Sequence, residues 1–299
     1  MNVAERIEDA RGGAAARDVT CRIDEWGGWV QATVTDPGTA RTAERLELAK
    51  LADVDHVAAN HRAAVRSSVE QESPEVLASA TERMLTEVYE LIAAPLLDPL
   101  EASPRVALDI RSQAVASLPV ETAHRSTEPA LFEVTQLYRK ISPAGRSRRP
   151  GRERPRRFRL SLHPGALTSL DVIALEQSLI HWVSANTGRK GTDVEPEPLV
   201  HIAGHDPIVP EGLLDLTDRA HVVLSGCSSL PSRLPPGVSS AVGSLWPVDD
   251  QSNSSIMAAY HARLAAGIGP VEALRQAQLL HRHLPPAAWA AYVHVGQPV

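Results

Sequence analysis

Two short apolar runs, each closed by a small residue and then a reactive one, constrain this chain most. Leu199 to Ala203 leads through Gly204 to His205, and His221 to Ser225 leads through Gly226 to Cys227. Runs of this length, bounded by turn residues, predict buried parallel strands. Chemistry in open parallel sheets collects at the carboxyl ends of the strands. Neighbouring strands lie about 4.8 Å apart, so adjacency of these two would bring an imidazole and a thiol into one crevice. Such a pair suits nucleophilic catalysis: a thiolate attacks, and the imidazole takes its proton and returns it to a leaving amine. A Cys at a strand end is equally a common inert core residue, and the pattern of runs alone leaves both roles open.

Three motifs narrow the choice. They are GHD at Gly204 to Asp206, LSGC at Leu224 to Cys227, and SLWPVDD at Ser244 to Asp250. Together they resemble the CHAT domain, a bacterial branch of the caspase-like cysteine peptidases. In that family strands run into a catalytic His and a catalytic Cys, and a third strand ends in SLWPVDD. GCSS at Gly226 to Ser229 also resembles separase, a relative in the same peptidase group. Weaker likenesses precede these, in VYELIAAPLLDPL from Val88 to Leu100 and SLPVETA from Ser117 to Ala123.

The resemblance implies a caspase-like three-layer α/β/α sandwich with a mostly parallel central sheet. It implies a cysteine endopeptidase in which Cys227 attacks and His205 relays the proton, with the amides of Cys227 and Asp206 as oxyanion donors. It further implies a protein or peptide substrate and an activating protein partner in trans. Separase carries an acid in its corresponding Trp-centred motif and cleaves after Arg, which points to Asp249 and Asp250 as substrate-binding acids. Their alternative is to cap the helix that follows.

The chain also departs from the family. Asp206 stands where a Gly normally follows the His, and Pro207 restricts its backbone. Only 22 positions separate His205 from Cys227, and Ser228 to Val238 is a short link. A non-catalytic interaction module that kept the fold is therefore the competing expectation.

Composition excludes other classes. The chain has 299 residues, 43% of them apolar, enough for one large α/β domain. We expect a tail at residues 1–24 and a single domain at 25–299. A net charge of −6 argues against general nucleic-acid binding. Two cysteines, Cys21 and Cys227, allow no disulfide framework and fit a reducing cytoplasm. Met1 to Thr20 lacks the apolar core of a secretory signal, and no apolar run is long enough to span a membrane. No GxGxxG, P-loop or GxSxG is present, so no nucleotide cofactor is expected. No metal is expected either: His201 and His205 lack the HExxH pattern, and on a strand they stand about 13 Å apart.

Arg139 to Arg159 holds ten Lys/Arg against the single acid Glu153, interrupted by prolines and glycines. This reads as an exposed, mobile loop, with an acidic partner or nucleic acid as the sharper alternative. Trp29 to Thr35 and Val106 to Ile110 read as strands. Thr39 to Val69, the stretch from Pro74 to Pro95, Leu170 to Ala185, Glu211 to Ala220, Ser254 to Ala266 and Val271 to His281 read as helices, with Ser252 or Asn253 capping the fifth.

Overall fold

The computed structural model describes residues 18–38, 43–71, 73–101, 103–125, 128–140, 158–164, 180, 197–203, 220–230, 234 and 238–298. The chain opens with a meander of β1 (Val19–Trp26), β2 (Trp29–Thr35) and β3 (Glu44–Lys50). Gly27 and Gly28 turn between Trp26 and Trp29 with φ of +59° and +81°, the two positive values that a tight hairpin of matching twist requires. The sheet thus begins at Val19, and the expected domain start at residue 25 falls inside β1. Val19, Cys21 and Ile23 alternate inward, which is the period of a strand and not of a loose tail.

The helix expected from Thr39 begins only at Leu51. Arg45 and Glu47 face solvent while Leu46 and Leu48 are half-buried, so Glu44–Lys50 follows a period of two and joins the sheet. Helix α1 (Leu51–Gln71) then buries Val54, Val57, Ala58, His61 and Ser68, a single stripe of helical spacing. Helix α2 (Pro74–Val88) starts on its proline as expected. It does not stop at Pro95: a π-turn over Tyr89–Ala93 carries it into α3 (Ala94–Glu101). Pro95 has no amide to donate, and just before it the ladder shifts to π bonding, with the Ala94 amide donating to the Tyr89 carbonyl.

Strands β4 (Arg105–Ile110), β5 (Gln136–Arg139), β6 (Phe158–Pro164), β7 (Glu197–Ala203), β8 (Ala220–Ser225), β9 (Val238–Ser244) and β10 (Tyr292–Gly296) complete the sheet. Three helices interrupt the last two strands: α4 (Asp250–Ala265), α5 (Pro270–Leu280) and the short α6 (Pro286–Trp289). Trp289 closes α6, and the final strand starts after it, at Tyr292.

The order across the sheet is β3-β2-β1-β4-β5-β10-β9-β8-β7-β6. The pairs β1–β4, β4–β5, β5–β10, β9–β8, β8–β7 and β7–β6 are parallel; β1–β2, β2–β3 and β9–β10 are antiparallel. The sheet is therefore mostly parallel within a mixed α/β architecture, as a caspase-like α/β/α fold requires. It is built as two wings. In the first, β1, β4, β5 and β10 run together; in the second, β6 to β9 run the opposite way. β10 joins them.

β8 is buried along its whole length. On one face of this second wing, Val200, Ile202, Val222, Leu224, Ala241 and Val295 cluster with Leu230 and Leu234. On the other, His201 and His221 meet α4. The basic run expected to be a loop is bounded by structure at both ends. Arg139 is the last residue of β5 and is buried, while Phe158 and Arg159 open β6; residues 141–157 lie outside the described residues. The helices expected at Leu170 to Ala185 and Glu211 to Ala220 also lie largely outside them. Among the described residues, no helix is long and apolar enough to cross a membrane.

Candidate active site

β7 and β8 are parallel neighbours, with Ala203 opposite Ser225 at their carboxyl ends. The run that leads to His205 and the run that leads to Cys227 thus finish side by side, each two residues short of its reactive residue. His205 and Asp206 lie outside the described residues.

Cys227 is described, and it stands half-buried on a turn between β8 and the link to β9. The next residue, Ser228, has φ +49°, an uncommon conformation for a non-glycine residue. Such backbone persists only where its surroundings hold it. Here they do. The Ser229 hydroxyl donates to the Leu224 carbonyl at 2.8 Å, and the Ser244 amide donates to the Ser229 hydroxyl at 3.0 Å. The Ser244 hydroxyl donates to the Gly226 carbonyl at 2.6 Å and accepts from the Ser229 amide at 3.4 Å. The Leu230 amide donates to the Ser244 carbonyl at 3.0 Å. Gly243 makes this closeness possible, because a Cβ there would lie 2.9 Å from the Leu230 Cα.

A second support enters from α4. Asn253 donates from Nδ2 to the Ser225 hydroxyl at 2.7 Å and accepts from the Tyr292 hydroxyl at 2.6 Å, and all three residues are buried. Asn253 was a cap candidate in the sequence; in the structure its side chain points inward. The cap is Asp249, whose carboxylate accepts from the Ser252 amide at 2.9 Å, and Asp250 opens the helix. Both acids are exposed, five and six residues beyond the end of β9. Trp246, before them, is buried edge-on against His61 at 5.0 Å and donates its indole N–H to the Ala287 carbonyl at 2.8 Å.

Cys21, the other cysteine, sits in a different setting. It is fully buried in β1, and burial pushes its thiol up to about 12, so it stays protonated. His201 is a core residue: it is buried and meets His261 at 3.0 Å between ring nitrogens. His281 ends α5, as expected. Among the described residues no group of His, Cys, Asp and Glu has the arrangement to hold a metal.

The CHAT domain family model matches residues 211–297. Over this stretch the chain is similar to the CHAT domain. The match spans Cys227, the WPVDD segment, the helices α4 to α6 and β10, which is less than a third of the chain. No curated protein matches the chain. Sequence reasoning does not reach the supports of the Cys227 turn. Their signal was the cluster of small hydroxyl residues around the Cys and at the end of the next strand, Ser225, Ser228, Ser229 and Ser244.

Proposed function

We propose that the chain is a cysteine endopeptidase of the caspase-like CHAT type. The observation that carries this reading is the parallel pairing of β7 with β8, in register at Ala203 and Ser225. Cys227 follows on a turn that is tied down yet partly open to solvent. In the proposed reaction His205 takes the Cys227 proton, and the thiolate adds to a peptide carbonyl. The carbonyl oxygen becomes an oxyanion held by the amides of Cys227 and Asp206. His205 returns the proton to the amine as the C–N bond breaks, leaving a thioester. Water, deprotonated by the same imidazole, releases the acyl group and restores the thiol.

Asp249 and Asp250 are proposed to favour a basic residue before the cut bond, since a carboxylate pairs with a guanidinium through two parallel hydrogen bonds. A protein substrate, a cytoplasmic setting and a protein activator acting in trans complete the proposal. No cofactor enters it.

The test is covalent trapping with peptidyl acyloxymethyl ketones that vary at the residue before the ketone. Labelling of the wild type with loss of labelling in Cys227→Ala and His205→Ala is the expected result. No labelling by any member of the series overturns the enzyme reading in favour of an interaction module that keeps the fold. The short interval between His205 and Cys227 and the Asp206-Pro207 step are what favour that alternative.

A further inference from the structure

The Ser244 hydroxyl sits at an unusual place. It donates to the Gly226 carbonyl at 2.6 Å and accepts from the Ser229 amide at 3.4 Å, so it brackets the two residues between them. Those residues are Cys227 and Ser228, the latter with φ +49°. The carbonyl of Gly226 and the amide of Cys227 belong to one rigid peptide plane. In a trans peptide they point in opposite directions. Fixing the carbonyl therefore fixes the direction of the Cys227 N–H.

We propose that Ser244 is a positioning residue that sets the Cys227 amide as an oxyanion donor. Its hydroxyl pins the Gly226–Cys227 peptide plane from the end of β9. The part concerning the oxyanion rests on the peptidase reading above; the part concerning the peptide plane does not.

Two further physical arguments support this role. A hydrogen bond accepted by a peptide carbonyl polarises the plane and strengthens its N–H as a donor. A preset donor also needs no reorganisation when charge develops, which is where such groups gain their effect. Ser244 itself is held. It is buried at 1% exposure, its amide donates to Ser229, and its carbonyl accepts from Leu230. β10 flanks it, with Tyr292 opposite in register. The Tyr292–Asn253–Ser225 chain closes the same corner from the other side. The hydroxyl thus acts from a fixed strand upon a turn that would otherwise relax away from a costly φ.

The chain has two cysteines, which permits a direct test. Full-length protein carrying ¹⁵N only in cysteine gives two amide signals, assigned by Cys21→Ser. In Ser244→Ala the Cys227 signal should move while the Cys21 signal, in the other wing, stays. Ser244→Thr, which keeps the hydroxyl, should return it. In peptide turnover Ser244→Ala should lower kcat about tenfold to a hundredfold with KM little changed, less than the loss of a whole oxyanion donor.

A Cys227 signal that does not move in Ser244→Ala overturns the proposal, as does an equal movement of both signals. A moved signal with unchanged kcat in an active protein overturns the oxyanion role. A wild type that cleaves no peptide defeats the peptidase reading separately, and the amide signal still decides whether Ser244 pins the plane.

Discussion

The two wings of the sheet bury polar groups in opposite ways. In the first wing the buried charges form a closed ion pair. Arg139, at the end of β5, donates from Nε to one Glu121 oxygen at 2.6 Å and from Nη2 to the other at 2.8 Å. It also donates to the carbonyls of Ala116 and Leu118, both at 2.5 Å. In the second wing the interior holds imidazoles and hydroxyls. His221 meets the Ser240 hydroxyl at 2.7 Å and the Tyr260 hydroxyl at 2.6 Å, and His201 meets His261. His294, on the joining strand, stacks on His221 with ring centroids 5.8 Å apart. Among the described residues, His261 Nδ1 and both His294 nitrogens lack a hydrogen-bond partner. Full charge is tolerable in the first wing because it is matched bond for bond. The second wing carries Cys227 and holds imidazoles in its interior, so its integrity depends on proton concentration.

The largest effect should come from breaking the ion pair. Arg139→Ala leaves the Glu121 carboxylate buried without its partner and should cost about 3–5 kcal/mol. Replacing both, Arg139→Met with Glu121→Leu, should recover most of that loss in urea unfolding. If the double variant is as unstable as the single one, the pair is needed for more than its own balance.

Acid should act on the other side of the comparison. Burial pushes His294 down to about 3, and burial together with the neighbouring imidazoles of His201 and His221 holds His261 well below the usual range. Folded-state values depressed below the unfolded 6.5 mean that this stability is fully present above pH 6.5 and is lost as pH falls below it. His294 should contribute a slope of about 1.4 kcal/mol per pH unit, near 2 kcal/mol by pH 5, and His261 should act in the same direction. Urea midpoints measured from pH 7.5 to 5 should fall accordingly, and His294→Gln should flatten the slope. An unchanged slope in that variant would place the acid sensitivity elsewhere.

The smallest effect separates two uses of an acid near the Cys edge. Asp249→Ala removes the cap of α4 and should lower stability by about 1 kcal/mol. If Asp249 also meets substrate, the variant should lose turnover of Arg peptides more than of Leu peptides. An equal loss on both would leave it a cap alone.

The second wing was the more legible in the sequence. LVHIA and HVVLS are continuous apolar runs, and a strand buried on both faces looks like that. His201 could be assigned to the core because it sits inside such a run. The first wing was harder. ERLELAK alternates, but its Leu, Glu and Arg are also good helix formers, so a weak period of two was outvoted by propensity. Arg139 was misread for a related reason: it stands at the head of a run of exposed-type charges, and the partner that buries it, Glu121, is 18 positions away. The serines and Asn253 that hold the Cys turn carry no periodic signal at all. Their roles exist only once β8, β9, α4 and β10 are side by side.

Among the described residues β10 is the last strand, yet it lies in the middle of the sheet, between β5 and β9. Both of its partners are synthesised before it. While the chain is being made, each wing therefore waits with one raw edge, a row of amides and carbonyls open to pairing with a stranger. Non-local closure of this kind is slow, and such edges invite aggregation until it is complete. Tyr292, the first residue of the closing strand, also supplies the hydroxyl at the end of the Asn253–Ser225 chain. The step that seals the sheet is thus the same step that finishes the support beneath Cys227, so a half-assembled chain holds that cysteine on an unfinished turn.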